Sequence, residues 1–265
     1  YPEKSLYYLK KMQEEGTFPD VVTYCCALKA CGSMADINNG QKIHSEIAKL
    51  GLETGTFLAV TLMDMYIKCD LLPEAHKVFH ELSSKDVVSW NAIIVGYAEH
   101  GLAEEAFSCL KKMQSATISP NAITFINSLR ACSSSGAVDI GRKIHAEIIK
   151  ENFERDIRVA NTLIDLYAKL GMLGEAQSVF DEVVTRDVVT WTALITGYSE
   201  QGLGEQALCY YEQMLSENLA PDKVITMCAL KACTSIRDFE RGKEIHRNMV
   251  NKSIKFDHCV LNTLV

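Results

Sequence analysis

Apolar positions in this chain recur at helical spacing. In "VVSWNAIIVGYAEHG", which begins at Val87, residues Ile93, Ile94 and Tyr97 share one helical face, Ser89 is a candidate N-cap and Gly101 closes the segment. Glu104 and Glu105 open a second helix, since carboxylates are favoured at the positive end of the helix dipole. Its apolar face is Ala106, Leu110 and Met113, and Pro120, which cannot donate a backbone hydrogen bond, stops it. "LLPEAHKVFHEL" puts Pro73 in a first helical turn, with Ala75, Val78, Phe79 and Leu82 on one face. No stretch alternates with period two, so the pattern predicts an all-α protein made of helix pairs.

These pairs repeat. "VVTWTALITGYSEQG" at Val188 restates the segment at Val87, an offset of 101 residues. The same offset links Met12, Met113 and Met214; Pro19, Pro120 and Pro221; Cys31, Cys132 and Cys233; and His44, His145 and His246. Within it the chain divides into units of 35, 31 and 35 residues: 21–55, 56–86 and 87–121, then 122–156, 157–187 and 188–222, then 223–257. Residues 1–20 read as the latter part of a unit and 258–265 as the start of another, as in an excerpt from a longer array. A helical hairpin cannot cover its own apolar face, so stacked neighbours must share a continuous core.

Composition changes this picture little. Of 265 residues, 48% are hydrophobic, enough for a large core, and length alone would suggest one or two globular domains; the period overrules that. There is no run of 18 apolar residues and no signal segment, so no membrane association is expected.

The chemistry-bearing residues read as structural. The 10 cysteines contain no Cys-x-x-Cys, and Cys31, Cys132 and Cys233 occupy one register position where a small residue lets helices approach, which favours buried, reduced thiols. His44-Ser-Glu46 and His145-Ala-Glu147 match half of a zinc deaminase signature, but its Pro-Cys-x-x-Cys half is missing, and the third copy departs as His246-Arg-Asn248. A phosphate-binding glycine loop, an HExxH and a GxSxG are all lacking. No catalytic residue, metal or cofactor is expected.

"VVSWNAIIVGYAEHGLAEEAFSCLKKM", "NTLIDLYAKLGMLGEAQSVFDEV" and "LRACSSSGAVDIGRKIHAEIIK" resemble the P, S and L motifs of plant pentatricopeptide repeat proteins of the PLS subclass, over essentially the whole chain. On that resemblance 21–55, 122–156 and 223–257 are L units, 56–86 and 157–187 are S units, 87–121 and 188–222 are P units, and the ends are partial P and S units. The resemblance implies a right-handed α-solenoid that binds single-stranded organellar RNA in a chloroplast or mitochondrion, about one base per repeat, most often to select a cytidine for editing to uridine. A deaminase domain in the parent protein is a weaker possibility of enzyme by association.

The family reads bases with the fifth and last residues of a unit, because an amide or hydroxyl on the first helix meets the Watson–Crick edge of an unstacked base. Asn91 with Asn121 then favours a pyrimidine, C ahead of U; Asn161 with Asp187 favours U; Thr192 with Asp222 favours G. Laid parallel to the repeats, the RNA reads pyrimidine, any base, U, G. Weaker positions are Val60 with Asp86, Ile126 with Asp156, Met227 with Asp257, and Asn262 in the partial unit. A helix cap or a solvated polar residue is the competing reading of each asparagine or threonine. Val88, Arg158 and Val189, second in their units, are expected to sandwich bases. Positions five, nine and thirteen share a helix face, which makes Lys29, Arg130 and Lys231 at position nine, and Lys68 and Lys169 at position thirteen, candidate phosphate contacts.

A net charge of −7 argues against a sequence-independent nucleic-acid coat but not against a selective reader, and Glu99 and Glu200 alternate the sign along that face. Weak RNA affinity, falling steeply with salt, is the expectation. The rival reading is a protein-binding solenoid, supported by the acidic surface and the apolar fifth residues Cys25, Val60, Ile126 and Met227. Those positions are also where the resemblance implies binding of multiple organellar editing factor proteins. Open ends of an array expose apolar faces, so a homodimer is a further expectation.

Overall fold

A computed structural model describes residues 1–52 and 55–251, the side chains of 249–251 excepted. Asp257, Asn262 and the partial unit 258–265 lie outside the described residues. Among the described residues the only regular elements of length are helices. They are α1 (Pro2–Glu14), α2 (Val21–Met34), α3 (Ile37–Lys49), α4 (Thr56–Lys68), α5 (Leu72–Glu81), α6 (Val87–Glu99), α7 (Ala103–Ser115), α8 (Ala122–Ser135), α9 (Val138–Lys150), α10 (Ile157–Lys169), α11 (Leu173–Glu182), α12 (Val188–Glu200), α13 (Gly204–Ser216), α14 (Lys223–Ile236) and α15 (Phe239–Asn251). None is long and apolar enough to cross a membrane.

Several first helices begin where an aspartate caps them. Asp20, Asp86, Asp187 and Asp222 accept hydrogen bonds from the N–H of Thr23, Ser89, Thr190 and Ile225 at 2.8–2.9 Å, satisfying donors that a helix start leaves unpaired. The cap expected at Ser89 therefore belongs to Asp86. Ser89 sits three residues inside, where its hydroxyl accepts from the Asp86 N–H at 3.0 Å and completes a reciprocal capping box. A second boundary also moves. α7 ends at Ser115 rather than at Pro120, because Thr117 turns left-handed (φ 59°) and the Ile118 N–H closes onto Met113 O at 3.1 Å.

The chain forms two compact units, Tyr1–Ser135 and Gly136–Val265. In the first, α2, α4, α6 and α8 pack successively side by side, and α3, α5 and α7 each lie against the helix before them. In the second, α10, α12 and α14 make the corresponding row, with α11, α13 and α15 against them. The cores are aliphatic and aromatic: Ile93, Ile94, Met113 and Phe125 in one, Leu166, Leu194, Ile195 and Met214 in the other, all fully buried. Two glycines permit the closest helix approaches. A Cβ at Gly96 would meet the tips of Ile67 and Leu72, and one at Gly197 would lie 2.4 Å from Ala168 Cβ.

Cys31, Cys132 and Cys233 are buried, and desolvation pushes their thiols up to about 11, 12 and 11. The histidines of the half-signatures face tyrosines of the next hairpin: His44 Nδ1 lies 2.7 Å from the Tyr66 hydroxyl, and His145 Nδ1 lies 2.9 Å from that of Tyr167.

Candidate nucleic-acid interface

Each first helix starts one residue after the last residue of the unit before it, so that last residue is also the N-cap of the next helix. This double role builds the site. At Asn91 and Asn121, the Thr124 N–H donates to Asn121 Oδ1 at 3.1 Å as the helix cap. The same Oδ1 accepts from Asn91 Nδ2 at 3.2 Å. Asn91 Oδ1 in turn accepts from the Thr124 hydroxyl at 2.6 Å, while that hydroxyl oxygen accepts from the Asn121 N–H at 3.1 Å. Asn91 is 9% exposed, so in the absence of a ligand its amide is almost wholly engaged by these neighbours. One Nδ2 hydrogen of Asn91 and the whole Nδ2 group of Asn121 take no part in these bonds.

The arrangement recurs at Asn161 and Asp187. Asn161 Nδ2 donates to Asp187 Oδ1 at 3.2 Å, and the Thr190 hydroxyl donates to Asn161 Oδ1 at 2.7 Å. Burial alone would raise the Asp187 carboxyl, but the Thr190 N–H, its hydroxyl and the Asn161 amide together hold it below its ordinary value of 3.8. Asp187 is thus an anion and accepts only, and Asn161 meets it with one N–H of its NH₂. Oδ2 of Asp187 remains outside the network.

The third pair differs. Thr192 donates its hydroxyl to Val188 O at 2.6 Å, one turn back on its own helix, and makes no bond to Asp222. Where the other sites have a threonine third in the next unit, here stands Ile225, whose N–H is capped by Asp222 Oδ1. What remains is the lone pairs of Thr192 Oγ1 and the second carboxylate oxygen of Asp222, all acceptors.

The other positions carry no such network. Val60, Ile126 and Met227 are half-buried and Cys25 is buried. Asp86 caps α6, and Asp156 is gripped by the Arg158 guanidinium, with Nε–Oδ1 at 3.1 Å and Nη2–Oδ2 at 2.7 Å. Hydrogen bonds from Arg158 hold the Asp156 carboxyl below its ordinary value. Arg158 is exposed but committed to this fork, unlike the exposed Val88 and Val189. Lys68 and Lys169 are paired with Asp64 and Asp165 one turn earlier, each at 2.7 Å. Lys29 extends its Nζ over the Phe57 ring at 6.0 Å, and Arg130 and Lys231 are exposed and enter no ion pair with a described residue.

Residues 85–134 and 186–224 match the PPR repeat family, and residues 60–87 and 159–188 match the PPR repeat. Over 99% of this chain and 32% of its own length, a chloroplastic pentatricopeptide repeat-containing protein of Arabidopsis thaliana is 33% identical. The chain belongs to the pentatricopeptide repeat family. A second chloroplastic pentatricopeptide protein of the same plant is 35% identical over 93% of this chain and 39% of its own, and one named as mitochondrial is 34% identical over 91% and 38%. The chain thus spans about a third of the length of the relatives it matches. Among solved structures it is similar to the pentatricopeptide repeat protein PPR10 in complex with an 18-nt psaJ RNA element, with TM-score 0.46 and 17% identity over 99% of this chain and 50% of that one. The matched segments are pentatricopeptide repeat array, not a catalytic domain.

Within the pentatricopeptide frame two features escape a reading limited to fifth and last residues. Val22, Phe57, Ile123 and Val224 are exposed like Val88 and Val189, and all stand second in their units, so the second position is apolar in every full unit except that of Arg158. Counting from each cap would have found them. The hydroxyls of Thr124 and Thr190 were invisible as site groups, because in sequence they look like ordinary capping residues of the following helix.

Proposed function

We propose that this array selects single-stranded RNA by base, as the targeting segment of a PLS-type pentatricopeptide protein acting in C-to-U editing in a chloroplast or mitochondrion. The observation that carries the reading is that the three polar pairs differ in what they leave free. Asn91 with Asn121 offers two donors, which suits the adjacent O2 and N3 acceptors of cytosine. Asn161 with Asp187 offers a donor and an acceptor, which suits the O2 and N3–H of uracil. Thr192 with Asp222 offers acceptors, which suit the neighbouring N1–H and N2–H of guanine. That is the order pyrimidine, U, G, with the Ile126 unit as the unread position between the first two. The exposed second residues, from Val22 to Val224, supply apolar walls against which base faces can stack.

The half-buried Val60, Ile126 and Met227 favour a second role, in which L and S units bind an apolar partner segment such as an editing-factor protein. Fluorescence anisotropy separates the two. An RNA with pyrimidine, any base, U, G in register binds more tightly than one with G replaced by A, and Thr192→Asn moves that position from G toward U. Equal weak binding of all RNAs, whatever residue stands at 192, overturns base reading and leaves the partner-binding role.

A further inference from the structure

We infer that the third residue of the following unit is a specificity-determining member of each asparagine site: Thr124 and Thr190 orient the amides of Asn91 and Asn161 so that each presents an N–H, never its carbonyl, to the base. The inference rests on the RNA-reading function proposed above and adds a residue to it.

A side-chain amide can turn over by half a rotation and exchange its donor and acceptor ends, and an amide free to do so accepts either pyrimidine edge. At both sites the carbonyl end takes the shorter of the two contacts open to a threonine hydroxyl, 2.6 Å from Thr124 and 2.7 Å from Thr190, against 3.1 Å and 2.9 Å from the same hydroxyls to the cap Oδ1. Each hydroxyl oxygen is itself held in place, because it accepts from the N–H of the cap residue, Asn121 at 3.1 Å or Asp187 at 3.2 Å. The polarity of the reading amide is therefore set by the start of the next helix. Both threonines are fully buried, so water does not compete for the bond.

Three comparisons inside the chain support the assignment. Ser89 makes the same capping box with Asp86, but the fifth residue before it is Val60 and there is no amide to orient. Val159 occupies the place after Ile126, again with no amide. Ile225 follows Thr192, whose hydroxyl instead bonds its own helix at Val188 O. Among the described units, a hydroxyl that reaches back to the previous fifth residue occurs where that residue is asparagine.

The test measures base preference rather than affinity, since loss of a cap alone weakens all RNAs alike. In the full chain, Thr190→Val lowers the U-over-C preference at the position facing Asn161 by about fivefold, the worth of one oriented hydrogen bond. Thr190→Ser retains the preference. Ser89→Ala, which removes a comparable cap, changes no base preference. A second arm does not depend on the folding of Thr190→Val: on a Thr192→Asn background, adding Ile225→Thr sharpens U over C at that position by a similar factor. A wild-type chain that discriminates bases while Thr190→Val keeps its ratio, or an Ile225→Thr addition that leaves it flat, overturns this inference and spares the function. A wild-type chain indifferent to base overturns the function itself, and this inference with it.

Discussion

Gly96 and Gly197 stand at the same place in sequence-equivalent units, yet an alanine should be tolerated at one and not at the other. At Gly96 the new methyl would meet Ile67 Cδ1 at 2.8 Å and Leu72 Cδ1 at 2.9 Å, both the far ends of flexible side chains that can rotate away. At Gly197 it would meet Ala168 Cβ at 2.4 Å and Ala168 Cα at 3.3 Å, atoms fixed to the backbone of α10. Carbon atoms pack at about 3.5–4.0 Å, so relief there requires α10 and α12 to separate by about 1 Å. Overpacking of this kind costs about 1–3 kcal/mol, with Gly197 at the upper end and Gly96 at the lower. Replacing a mid-helix glycine by alanine returns about 1 kcal/mol in helix propensity. Gly96→Ala should thus be nearly neutral, and Gly197→Ala destabilising by about 2 kcal/mol, or about 4–8 °C in thermal midpoint. Far-UV circular dichroism on heating and in urea gives both values. The collision predicts sign reversal as well: Ala168→Gly with Gly197→Ala should be more stable than either single variant. Equal losses at both glycines, or a double variant no better than Gly197→Ala, would refute the packing argument.

The remaining predictions concern charge. If the array binds RNA, Arg130→Ala and Lys231→Ala should each lower the slope of log affinity against log salt by about one, while Lys169→Ala lowers it less, because Asp165 already neutralises that ammonium at 2.7 Å. Titration of anisotropy against salt decides this, and equal effects from Lys169 and Arg130 would contradict it. His145 is held below its ordinary value of 6.5 by burial beside Tyr167, so the folded state resists its protonation. The stability it contributes is present above pH 6.5 and lost as pH falls through its lower folded value. His145→Gln should therefore show a shallower loss of urea midpoint between neutral and mildly acidic pH than the wild type; parallel profiles would disprove the assignment.

Much of the fold was legible because its causes are local. Helical spacing of apolar residues, aspartate before five of the seven first helices and glycine soon after four of them are read directly from the chain, and repetition at 101 residues multiplies each weak signal. The boundary errors were equally local in origin. Ser89 looked like a cap because serine caps helices, but Asp86 supplies a carboxylate at the place where the backbone is still extended. Pro120 looked like a stop because proline ends helices, but the left-handed turn at Thr117 had already closed α7.

The candidate site divides along the same line. Sequence alone determined which residues stand fifth and last in each unit, since that is counting within a period. Only the tertiary structure decided what those residues have left to offer. Whether Asn161 shows an N–H or a carbonyl depends on Thr190, 29 residues away, and whether Asp156 is free depends on the Arg158 fork beside it. The first of these turns on the direction of a single hydrogen bond between neighbouring hairpins and the second on how one side chain folds back at a helix start, and direction is a property of three-dimensional geometry that no spacing along the chain encodes.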